Sequence, residues 1–165
     1  MTLWLLVPAF AIVSIIQTAV LPMVSIAGLR PDLALLIVVA WGLLSNPGEA
    51  AVWGFVGGLF LDLASGLPFG TQTLALTGVG LLLSLAQTNI FRSNLLLPPA
   101  AMLLATLVYN LIILGILSTL GWQINWEDYV VWITLPTALI NTFVLPLVYF
   151  PLQRLHRFLH PQVEW

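Results

Sequence analysis

Read along its length, the chain is a series of long apolar runs parted by short clusters of proline, glycine and polar residues. A helix needs roughly 20 residues to cross about 30 Å of hydrocarbon. The runs predict six spans, at about residues 3–21, 31–45, 50–66, 72–91, 97–120 and 129–150. The breaks have recognisable turn chemistry. Pro22 is expected to end the first run, and Arg30-Pro31-Asp32 opens the second with proline at the first helical position. Ser45-Asn46-Pro47-Gly48-Glu49 and Gly66-Leu67-Pro68-Phe69-Gly70 read as turns. Arg92-Ser93-Asn94 parts the fourth run from the fifth, and Gly121 to Asp128 parts the fifth from the sixth. The second and third runs are short, which leaves a re-entrant hairpin as the other reading. Each is continuously apolar, however, and neighbouring helices or local thinning accommodate short spans. The expected architecture is an all-α integral membrane protein with six transmembrane helices over residues 1–151. Beyond Pro151, Leu152, Leu155 and Leu159 share one face and Gln153, Arg154, Arg157 and His160 lie off it. Residues 152–165 are therefore expected to form a short amphipathic tail in the cytoplasmic interface.

Composition sharpens this picture. Of 165 residues 61% are hydrophobic, only 4 are basic and 6 acidic, and the mean hydropathy is +1.09. A soluble domain is about a quarter charged, so the bilayer must serve as solvent. The chain has no cysteine, which excludes a disulfide framework and a thiolate metal site. A net charge of −2 offers no basic patch for nucleic acid. The N-terminal run lacks a basic n-region and is too long for a signal-peptide core, so it reads as a span. An even number of crossings puts both termini on one side. Cytoplasmic termini leave Arg92, Arg154 and Arg157 inside and Arg30 outside, as the positive-inside rule favours. Trp4, Trp122, Trp126, Trp132 and Trp165 fall near span ends like an aromatic belt, whereas Trp41 and Trp53 flank the turn at 45–49.

The one acid inside an apolar run is Asp62, in a glycine-rich stretch from Gly54 to Gly70. A carboxylate at membrane depth costs a few kcal/mol unless partnered. The topology puts it about one turn below the outer surface, level with Arg30, so an Arg30–Asp62 pair is expected. Bonding to Ser65 and backbone groups is the plainer alternative. Asp32 stands where it can favour the positive end of its helix. Gly54, Gly57 and Gly58, and likewise Gly78, Gly80 and Ser84, permit close helix crossing, within the subunit or against a partner's helix. Asn110 and Asn141 lie inside the fifth and sixth spans and suit interhelical hydrogen bonds better than ligand contacts. His156 and His160 have the spacing of a metal pair but no third ligand nearby. No acid–base pair, nucleophile triad or phosphate loop can be assembled, so enzymatic activity is not expected.

These residues resemble the rod shape-determining protein MreD family. The likeness lies in Arg30-Pro31-Asp32-Leu33, in Gly-x-x-x-Gly-Leu-x-x-Asp-x-x-Ser-Gly-x-Pro-x-Gly ending at Gly70, and in Leu74-Ala-Leu-Thr-Gly78. Its motif positions here are Arg30, Asp32, Asp62, Ser65, Gly66, Pro68 and Gly70. The resemblance implies a bacterial inner-membrane component of cell-wall elongation, similar in fold to the six-helix substrate-binding subunits of energy-coupling vitamin transporters. It implies a non-enzymatic, cofactor-free scaffold that binds MreC among membrane lipids, within a complex holding MreB, RodA and a class B penicillin-binding transpeptidase. The alternative from that fold class is a vitamin-binding transporter subunit, for which Gln17, Gln72, Asn110 and Asn141 are the few polar candidates.

Overall fold

The computed structural model describes residues 3–24, 29–45, 48–86 and 97–159. Among them the protein is all-helical, with no strand. The helices are α1 (Leu3–Ile15, continued by Ile16–Val20 and Leu21–Val24), α2 (Leu33–Leu44), α3 (Glu49–Ala64), α4 (Thr71–Ala86), α5 (Leu97–Thr119) and α6. The last comprises Trp126–Tyr129, Val130–Thr134 and Leu135–Leu159 in one helical run. Three stretches are long and apolar enough to cross a membrane: Leu6–Met23, Leu97–Thr119 and Trp126–Phe158. The expected break at Arg92-Ser93-Asn94, the end of the fourth span and His160 lie outside the described residues.

Helix α2 is the core. Its 12 residues rise only about 18 Å, too little to cross the hydrocarbon alone. It touches each of the other five helices, and Leu35, Leu36, Val38, Val39 and Trp41 are fully buried. A helix apolar all round is a buried helix, and here protein, not lipid, surrounds it. That sheath also permits the extended chain at 30–32, because irregular backbone survives at membrane depth only inside protein or along a cavity.

Helices α3 and α4 make the closest packing. A methyl group built on Gly54 would strike the Leu76 carbonyl, one on Gly58 the Thr73 backbone, and one on Gly80 the Ala50 carbonyl. Backbone therefore rests on backbone along the i, i+4, i+8 row Ala50, Gly54, Gly58. Gly57 faces the Phe10 ring of α1, at 2.6 Å from a built Cβ, and Gly78 faces Ile112 of α5. These glycines all abut this chain's own helices.

The prolines act differently from expectation. Pro22 does not end α1: Leu21 N–H reaches the Ile16 carbonyl five residues back, and the run continues through Pro22 to Val24. The same device recurs in α6, where Leu135 N–H bonds the Val130 carbonyl just before Pro136. A proline ring crowds the carbonyl four residues earlier. A widened π turn ahead of it takes up that crowding. Pro151 likewise does not separate a tail, since the helix runs unbroken through Pro146 and Pro151 to Leu159.

At the end nearer the turn before α3, Trp41 and Trp53 stack at 4.1 Å, with Phe10 and His156 edge-on to them. The Trp41 indole donates to Glu49 at 3.1 Å. Trp122, Trp126 and Trp132 are exposed at or near the opposite end.

Candidate functional site

Two acids, each at a helix start, organise that opposite end. Helix α4 begins after Gly70, whose φ of +95° sets the turn but which has no side chain to cap the helix. Asp62, on the last turn of α3, supplies the cap instead. Its Oδ1 accepts from Gln72 N–H at 2.9 Å. Its Oδ2 accepts from Gly70 N–H at 2.9 Å, Thr73 N–H at 3.0 Å and the Thr73 hydroxyl at 2.5 Å. Orphan donors and the positive helix end together favour a carboxylate there. The expected Arg30–Asp62 pair is not formed. Arg30 is exposed and makes no hydrogen bond or ion pair among the described residues, and the Asp62 oxygens are taken by α4. Ser65 does not bond Asp62 either; its hydroxyl is buried without a partner among the described residues. Pro68 places its carbonyl to accept from the Thr71 amide and hydroxyl.

Asp32 is the N-cap of α2, its Oδ1 accepting from Leu35 N–H at 3.0 Å and from the Gln17 amide at 2.9 Å. Gln17 returns its own oxygen to Ala34 N–H at 3.0 Å. The Asp32 N–H donates to Asn141 Oδ1 on α6 at 2.9 Å, and the Asn141 amide donates to the Thr106 hydroxyl on α5. Asn110 donates to the Thr106 carbonyl and accepts from Tyr129 at 3.4 Å. Tyr109 donates to Gln72 Oε1 at 3.1 Å and lies beside the Asp32 carboxylate. One polar layer thus draws on all six helices. Asp32, Asp62, Asn110 and Asn141 were legible as candidates; Thr73, Thr106, Tyr109 and Tyr129 were not. The available signal was the α5 row Thr106, Tyr109, Asn110, which puts three polar residues on the buried face of an apolar helix.

Above this layer opens a cleft of about 840 Å³. Its floor holds Asp32, Gln72, Tyr109, Asn110 and Asn141. Leu61, Ile113, Leu117, Ile124 and Ile133 form apolar walls, while Arg30, Ser65 and Gly66 also line it. Both π turns border it, through Gln17, Thr18 and Ile133. Among the described residues no group of three metal-ligating side chains occurs.

An all-helical chain with membrane-length helices, whose buried polar side chains mostly join one helix to another, has the architecture of a helical membrane protein. The chain belongs to the rod shape-determining protein MreD family, whose profile matches residues 1–159. No curated protein and no solved structure matches it.

Proposed function

We propose that the protein is a non-enzymatic scaffold of the bacterial elongation machinery in the inner membrane, binding MreC directly and MreB, RodA and a class B penicillin-binding transpeptidase through the larger complex. Family membership supports a role in rod-shape determination. The observation that carries the scaffold reading is the interhelical layer, in which Asp32, Asp62 and Asn141 hold backbone amides and thereby fix helix positions. Nothing in the comparisons favours the vitamin-transporter alternative. On this reading all six helices cross the bilayer, both termini are cytoplasmic, and the cleft faces outward.

Two experiments test it. Mild-detergent purification of the full chain from its native membrane should recover an MreC-like single-span protein. Recovery of ATPase and coupling subunits with a vitamin would refute the scaffold. Topology is directly accessible because the chain lacks cysteine. An impermeant maleimide should label Phe69→Cys and Gln123→Cys from outside, and Pro47→Cys and Val163→Cys only after lysis. The reverse pattern would overturn the orientation.

A further inference from the structure

The floor and mouth of the cleft differ in one respect from the layer beneath. Most of the layer's polar atoms satisfy one another; besides the Ser65 hydroxyl, two donors of the cleft lining find no acceptor among the described residues. Gln72 is 7% exposed; its Oε1 takes the Tyr109 hydroxyl, whereas its Nε2 donates to nothing among the described residues. The Arg30 guanidinium at the rim is similarly unengaged among them. An amide donor of a largely buried side chain lining an open cleft, with an exposed guanidinium in the same lining, is the chemistry that receives acceptor oxygens. The adjoining walls are aliphatic, from Leu61, Ile113, Leu117, Ile124 and Ile133. We propose that this cleft binds an amphiphile with one compact anionic group, a phosphodiester or carboxylate. Arg30 and Gln72 engage its oxygens while its apolar portion lies along those walls.

Charge restricts the head group further. Among the described residues the only other charged member of the lining is Asp32, whose Oδ1 is committed to Gln17 and the α2 amide. Arg30 can offset one anionic charge, and with Asp32 in the same lining a second charge, as on a phosphomonoester, would be desolvated without a counter-charge. The volume, about 840 Å³, accommodates a head group with the first part of a chain and falls within the range of small-molecule sites. A membrane phospholipid and a soluble amphiphile share this chemistry. This inference adds a ligand to the scaffold reading and stands on the cleft alone.

The test is native mass spectrometry of the full-length protein in detergent, titrated with dihexanoyl phosphatidylglycerol. Wild type should bind one molecule per chain. Arg30→Gln should weaken binding about tenfold or more, the loss expected for a charge-assisted contact. It breaks no internal bond, so an unchanged melting temperature will show that the fold is intact. Arg154→Gln, on the far part of α6 and outside the cleft, should bind like wild type. Thr137→Trp, which puts bulk into the cleft from α6, should abolish binding. Glycerol 3-phosphate, a dianionic head without chains, should bind far more weakly. Equal binding by glycerol 3-phosphate, equal losses in Arg30→Gln and Arg154→Gln, or no binding by wild type would each overturn the proposal. The mass retained from the native membrane identifies the source: a phospholipid mass places it in the bilayer, and another anionic amphiphile in solution.

Discussion

Replacing Asp62 separates the capping geometry from the ion pair that position alone suggests. The carboxylate accepts four hydrogen bonds, three of them from backbone amides at the start of α4. Each bond to a charged acceptor contributes about 1.5–3 kcal/mol, and a buried donor left unmet costs about 1–3 kcal/mol. The terms are not additive, since some released amides can reach water through the neighbouring cleft. Asp62→Leu should therefore destabilise by about 3–6 kcal/mol. Asp62→Asn can turn its oxygen to the Gly70 and Thr73 donors, leaving its amino group against Gln72 N–H. Its cost should be about 1–3 kcal/mol. Arg30→Ala, by contrast, should stay within about 0.5 kcal/mol, as for an exposed side chain without partners. Unfolding of the purified protein in mixed detergent, followed by tryptophan fluorescence, gives the ranking. Hydrogen exchange at Gly70, Gln72 and Thr73 gives the location, and these amides should lose protection first in Asp62→Leu. Equal losses in the Asn and Leu variants, or an Arg30→Ala loss matching Asp62→Leu, would refute the capping account.

Other outcomes follow from the packing. Gly58→Val should cost at least about 1–3 kcal/mol by forcing α3 off α4, whereas Gly115→Ala, with nothing within 4 Å, should be neutral or stabilise by up to about 1 kcal/mol; paired thermal melts decide. Gly70→Ala should cost about 1–2 kcal/mol through its left-handed backbone, and Gly66→Ala, which meets nothing, should melt like wild type. Asn141→Leu should cost about 1–3 kcal/mol by stranding the Asp32 amide and the Thr106 hydroxyl. Faster exchange at the Asp32 amide would locate that loss.

The helices were legible because proline, glycine and asparagine punctuate the apolar runs. What the runs could not reveal was which helix lies inside. In a bilayer, lipid-facing and core-facing positions are both apolar, so the periodicity that betrays a buried face in water is absent. Helix α2 reads as a short span and proves to be the centre. Asp62 is conspicuous, and of its two readings the backbone one holds: Arg30 offers a charge at the same depth, while Gly70-Thr71-Gln72-Thr73 offers uncapped donors only 8 to 11 residues away. The missed clue was a helix start with a glycine where a capping side chain normally stands. Pro22 reads as an ordinary breaker, because sequence pattern shows the missing donor but not the widened turn that absorbs it.

The central place of α2 has a consequence in time. It is the second helix made, yet four of the five helices that enclose it come later in the chain. Its Asp32 amide meets Asn141, a residue 109 positions downstream. At about 5–20 residues per second, synthesis of that interval takes on the order of 5–20 s. For that period the core helix is in the membrane while its enclosure is still being translated. A chain stopped before α6 would never acquire Asn141, so an open polar layer would distinguish unfinished copies from finished ones.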